Sequence, residues 1–202
     1  MAGYTAVEDV GDTLVTLLRD RMGDLVSKKK EIALASPGDV DRGDDVRLSL
    51  YLYRISENSH LKNAEREAVD PNPDRDRPLE LELYYLVTAH LPRSGNDPTD
   101  KSKEQHRVLG RAMQVLHDNP VVGGSDLAGD LAGGRKLRVT PAAASADEVA
   151  DVWSTFGETP YQPSVAYLVT PVAIESTREI EAERVRERTL EEYAAGRGGS
   201  DE

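Results

Sequence analysis

The stretch that most constrains the fold of this 202-residue chain is residues 77–91, RPLELELYYLVTAHL. Leu79, Leu81, Leu83, Tyr85, Val87 and Ala89 recur at every second position, a period that puts them on one face of a β-strand. Glu80 and Glu82 fall on the opposite face and are expected in solvent. Leu86 joins that second face farther along, so burial is predicted to change along the strand. Residues 46–55, VRLSLYLYRI, alternate in the same way. Val46, Leu48, Leu50 and Leu52 face one side, and Arg47, Ser49, Tyr51 and Tyr53 the other. Because that second side is aromatic, it too is expected to be covered.

Helical spacing appears three times. Val7, Val10, Leu14, Leu17 and Leu18 recur at three- and four-residue steps, predicting a helix over residues 4–22 with Gly23 at its stop. The polar loop of residues 92–101 precedes a helix that ends at Asn119-Pro120, with Leu109, Ala112, Met113 and Leu116 as its buried stripe. Ser145 and Glu148 have capping-box spacing and open a helix through Trp153 and Phe156, with Gly157 as its end. Short strands are expected at residues 31–35 and 136–140, and a last strand in PSVAYLVTPVAIES, where Pro171 breaks the ladder and predicts an edge strand or a bulge. Strands joined by loops, with few helices, predict an α+β domain: a mostly antiparallel sheet flanked by two or three helices. That domain is expected to occupy residues 1–176, followed by a charged arm, 177–202, helical or disordered.

Composition removes several functions. The chain has no cysteine, which excludes disulfides, thiolate metal sites and cysteine nucleophiles. Its net charge of -12 argues against a nucleic-acid partner, which needs a concentrated positive face. Lys28-Lys29-Lys30 is flanked by acidic residues and reads as a solvated turn. No apolar run is long enough to span a bilayer, and the N-terminus lacks the pattern of a signal peptide, so assembly in the cytoplasm is expected. A surface this rich in carboxylates also fits a salt-rich, halophilic cytoplasm.

Nothing in the sequence outlines a reaction. His106 and His117 fall near one helix face, but eleven residues of helix separate them by about 16 Å, too far to share a metal. Asp39, Asp41, Asp44 and Asp45 lack the spacing of a calcium loop. Gly123-Gly124 and Gly133-Gly134 match no phosphate-binding fingerprint and are expected to give flexibility. No GxSxG elbow is present. No catalytic residue, metal ligand or cofactor is therefore predicted.

Four segments in order, VRLSLYLYRISENSHLKN, RPLELELYYLVTAHL, HRVLGRAMQVLHDNPVV and YQPSVAYLVTPVAIES, resemble the cap or tail-terminator proteins of phage-tail-like contractile injection systems. The resemblance runs over residues 7–176. It implies a structural protein that forms a ring, typically six-fold, closes the inner tube and holds the last sheath layer. Tube and sheath proteins are then its partners, and assembled particles carry it out of the cell. Three contact regions follow. The loop of residues 58–78, with Asn58, His60, Arg75 and Arg77, is expected to reach a neighbouring subunit or the tube. The segment 121–134, with Asp126, is expected to order on assembly. The arm, with Glu175, Arg178 and Arg184, is expected to dock on the sheath, and a strand edge at Pro171 to accept a strand from a sheath subunit. A tail-completion protein of a contractile-tailed virus is the alternative, and a small-molecule enzyme built from carboxylates and histidines the third reading.

Overall fold

The computed structural model describes residues 2–41, 43–58, 77–92 and 97–178. His60, Arg75 and Arg184 lie outside them. Among the described residues the chain builds α1 (Ala6–Arg21), β1 (Ile32–Leu34), β2 (Leu48–Glu57), β3 (Leu79–Ala89), α2 (Pro98–Asp118), β4 (Val121–Val122), β5 (Leu137–Pro141), α3 (Ala146–Ser154) and β6 (Ser164–Ile174). The strands form one six-stranded sheet in the order β1-β2-β3-β6-β5-β4. All neighbouring pairs are antiparallel except β1 with β2, which is parallel. The sheet is therefore mixed, though mostly antiparallel as expected.

Strand β3 carries the alternation predicted for it, with a correction in each of its two partners, β2 and β6. Leu81, Leu83, Tyr85, Val87 and Ala89 of β3 point to one buried face, here called inner. On β2 the register shifts between Leu52 and Arg54, so Tyr53 is the extra residue of a bulge. On β6 the register against β3 shifts between Val169 and Val172, at the cis Thr170–Pro171 bond. Each bulge reverses the alternation beyond it. Ile55 thereby returns to the inner face opposite Leu83, and Val172 to the inner face opposite Leu81.

Helices α1 and α2 cover the inner face. Val10, Leu14 and Leu18 of α1 are all but inaccessible. Gly11 lets α1 approach β1 closely: a Cβ there would stand 2.7 Å from a terminal methyl of the Leu34 side chain, which would have to turn aside. Helix α2 starts at Pro98, earlier than its apolar spacing showed, with Asp97 as N-cap accepting from the Thr99 N–H at 2.8 Å. Its buried positions are Gln105, Val108, Ala112, Val115 and Leu116. Met113, expected inside, is exposed. The stripe is rotated because Gln105 turns inward, donating from Nε2 to the Ala89 carbonyl (2.7 Å) and to Gln162 (2.6 Å). Helix α3 lies on the other, outer face, capped by Ser145 as predicted. It ends at Ser154, before Phe156.

The glycine-rich segment packs against α1 instead of standing free as its glycine pairs suggest. Leu127 and Leu131 are buried in the core beside α1. Asp9 Oδ2 accepts from the Asp130 N–H (3.1 Å), and Thr13 Oγ1 accepts from the Ala128 N–H (2.9 Å). These bonds satisfy backbone donors that a buried loop would otherwise leave unpaired.

Candidate functional site

The outer face of the sheet is divided. Over its upper half α3 packs on β2 through aromatic rings: Tyr51 meets Phe156 edge-on at 5.4 Å, and Trp153 meets Phe156 at 5.2 Å and Tyr161 at 5.1 Å. The chain has ten aromatic residues outside histidine, and Tyr51, Tyr53, Tyr84, Trp153, Phe156 and Tyr161 gather here. Beside them Arg54, turned outward by the bulge at Tyr53, lies 3.6 Å over the Tyr84 ring and pairs with Glu148 at 2.6 Å. Glu148 is thus drawn to Arg54. A notch of about 260 Å³ opens among Tyr53, Tyr84, Leu168 and the 141–144 segment. Burial, reinforced by the Glu148 carboxylate, raises the Tyr53 phenol above its ordinary pKa. The Tyr53 hydroxyl and the Trp153 indole N–H are buried without acceptors among the described residues. Tyrosine, tryptophan and arginine in a partly desolvated cluster are the residues that dominate protein interfaces.

The lower half is polar, and its carboxylates are engaged where solvent exposure was expected. Glu80 is only 11 % exposed and pairs with Arg135 at 2.5 Å. Glu82 accepts from the Tyr84 hydroxyl at 3.0 Å and from Ser56 at 3.4 Å. On β5, Leu137 and Val139 are buried on the inner side, so Arg138 points outward with Lys136 two residues before it; both are exposed.

The residues singled out from the sequence are scattered. Asn58 is buried at the end of β2, its backbone N–H bonded to the Glu80 carbonyl (2.8 Å) and its side chain to Thr170 (3.3 Å). Arg77 is exposed just before β3. Asp126 is exposed in a 3₁₀ turn. Pro171 lies in β6, which has β3 on one side; on the other the β5 ladder ends at Thr170, so residues 171–174 have no paired strand there among the described residues. The bulge alternative holds. A longer free stretch of edge belongs to β2, where residues 51–57 have no strand on the β1 side among the described residues. The Glu175 N–H donates to the Ala2 carbonyl (3.0 Å), which fastens the start of the arm to the N-terminus. Arg178 is exposed. The sequence reading missed Arg54, Tyr84, Lys136 and Arg138. The signal for the last two was residues 131–146, which hold three cations and no carboxylate in a chain of net charge -12.

The outer side of the sheet also holds a buried hydrogen-bonded pair at the start of β2. His90 Nε2 lies 2.8 Å from Ser49 Oγ, with the histidine 8 % exposed and the serine inaccessible. Burial lowers the His90 pKa to about 4, which keeps the ring neutral. No carboxylate is bonded to the ring among the described residues, so nothing there completes a nucleophilic triad. A second hollow, about 280 Å³, lies beside the Arg47–Glu104 ion pair (2.9 Å) at the start of α2. Among the described residues, no group of three histidine or acidic side chains is placed to hold a metal.

Comparison with known proteins follows the fold. The Pvc16 N-terminal domain family matches residues 9–188. The chain is similar in structure to the PVC sheath/tube terminator of an extracellular contractile injection system in its extended state. There the TM-score is 0.61 at 18% identity, over 98% of this chain and 67% of that one. It is also similar to the tube-terminating cap of the anti-feeding prophage, with a TM-score of 0.59 at 18% identity, over 90% of this chain and 60% of that one. The likeness is one of fold, and the chain spans about two thirds or less of either structure. A search of curated proteins by sequence finds no match.

Proposed function

We infer that this chain, which belongs to the Pvc16 N-terminal domain family, is a terminator that closes the inner tube of a contractile injection particle and anchors its last sheath layer, as a ring of six. The observation that carries the reading is the extent of the match. The family covers residues 9–188, and a sheath/tube terminator shares the fold over nearly the whole chain. The chemistry is consistent with an assembly role. Surface engagement comes from aromatic and arginine side chains on a rigid sheet, which suits docking better than turnover. Ring formation requires head-to-tail contact between two different surfaces of successive copies.

In this reading the chain assembles in the cytoplasm and leaves as part of the particle, and the charged segment beyond Glu175 reaches the sheath. A tail-completion role in a contractile-tailed virus uses the same ring and differs in its neighbours, capsid and portal against none. The test is microscopy of particles from cells lacking this chain. Tubes are expected to run to irregular lengths with unanchored sheath, and the added chain to restore a capped end. Particles of normal length and normal sheath attachment without it defeat the reading. Removing residues 178–202 is expected to loosen the sheath while leaving the tube closed; intact sheath attachment then excludes the arm.

A further inference from the structure

Two rows of unpaired charge stand on opposite faces of the molecule. Glu8 and Asp12, with Asp20 two turns on, lie exposed along the solvent side of α1, and none has an ion-pair partner among the described residues. Glu8, in the first turn, is favoured by the helix dipole, whereas Asp12 lies past that turn and repels Glu8 four residues before it. Lys136 and Arg138 lie exposed on the outer side of the sheet, likewise unpaired among the described residues; Arg135 beside them is held by Glu80.

The rows have matching spacing. Carboxylates four residues apart on a helix are separated by about 6 Å along its axis. Cations two residues apart on extended backbone are separated by roughly 7 Å. The sheet stands between the two rows, because α1 covers its inner face and Lys136 and Arg138 project from its outer face. They cannot meet within one copy. Each row can meet its complement on a second copy, and each copy then still presents one row of each sign.

A knob and a notch accompany the charges. Tyr4, one helical turn before Glu8, is 91 % exposed. The notch of about 260 Å³ floored by Tyr84 and Leu168 opens where β5 ends.

The geometry points to a second copy of this chain as the partner of the outer face, with Glu8 and Asp12 of one copy on Lys136 and Arg138 of the next and Tyr4 directed to the notch. The contact is heterologous and propagates head to tail. It rests on the ring reading and assigns the surfaces that make the ring.

Sedimentation velocity of the full chain at low and high salt tests it. The wild-type chain is expected to self-associate, more weakly at high salt as charge pairs are screened. Lys136→Glu with Arg138→Glu, and separately Glu8→Lys with Asp12→Lys, are each expected to weaken association by about tenfold or more, since like charges then face one another. An equimolar mixture of the two variants restores assembly, because every reversed row meets its complement. Misfolding cannot produce that rescue, and the milder pair Lys136→Gln with Arg138→Gln carries the test should a reversed chain fail to fold. Tyr4→Ser is expected to weaken association without changing its salt dependence. A wild-type chain that stays monomeric, reversed variants that assemble like wild type, or a mixture that fails to recover each overturns the assignment. If the chain caps tubes and the reversed variants still assemble, these surfaces are wrong and the terminator reading stands. If the chain never reaches tube ends, that reading fails whatever the oligomer does.

Discussion

Gly129→Ala is expected to destabilise the fold by about 3 kcal/mol, far more than the same change at Gly124. Both glycines have positive φ, +52° and +66°, so each alanine would carry the left-handed backbone penalty of about 1–2 kcal/mol. At Gly124 nothing else lies within 4 Å. At Gly129 the new Cβ collides with the Asp9 carboxylate, which is buried and receives the Asp130 N–H. Moving that carboxylate leaves a buried donor and a buried charge without partners, at a cost of about 1–3 kcal/mol more. The same contact joins α1 to the 121–134 segment, so the loss is expected in global unfolding. Urea denaturation of the two variants measures the difference. Combining Gly129→Ala with Asp9→Ala should recover part of the loss, since the obstacle is then gone. Equal losses at 124 and 129 would show that the collision is relieved at no cost.

Lowering the pH is expected to remove about 3 kcal/mol of stability through His90 alone. Its pKa in the fold is about 4, against roughly 6.5 in an unfolded chain. Between those values the unfolded state binds a proton that the folded state refuses, so stability falls as pH drops, by up to about 1.4 kcal/mol per pH unit. The contribution is complete above pH about 6.5 and lost once the pH has fallen to about 4. The cause is burial: His90 is 8 % exposed, with Ser49 Oγ at 2.8 Å. His90→Gln keeps a polar group near Ser49 and removes the titration. Its stability should therefore depend less steeply on pH than that of the wild type between 6.5 and 4.5. Parallel slopes for the two proteins would mean that the imidazole finds a way to be charged in place. Carboxylates contribute to both curves in that window, so the difference between the curves is the quantity to read.

What the sequence made legible is the part governed by local period and local chemistry. The long alternation of residues 79–89 gave β3 and its inner face, and the three- and four-residue steps gave α1 within a few positions. The Ser145 cap gave the start of α3 because a side-chain acceptor three residues ahead of a free N–H is a local event. The start of α2 had its own local signal, Asp97-Pro98, but the first turns after it carry no apolar period. Which face of α2 is buried was decided by Gln105 reaching the Ala89 carbonyl, a contact between residues sixteen apart.

The candidate surface was much less legible. Arg54 was read as part of a simple alternation, yet the bulge at Tyr53 sends it outward to lie over Tyr84 and meet Glu148. Glu80 and Glu82 were read as solvated because alternation reports which side a residue faces and not what waits there; Arg135, Ser56 and Tyr84 wait there. The glycine pairs suggested freedom, and Asp9 and Thr13 removed it.

By itself, then, the sequence determined that this chain folds as helices on a mostly antiparallel sheet, because side-chain period is written residue by residue. The tertiary structure alone decided the parallel pairing of β1, the two bulges beside β3 and the place of β6 between β3 and β5. It also set the acidic row of α1 and the basic row of β5 on opposite faces. Those depend on register and on neighbours distant in sequence. A shift of a single residue in register changes which face a side chain occupies while leaving its local pattern almost untouched.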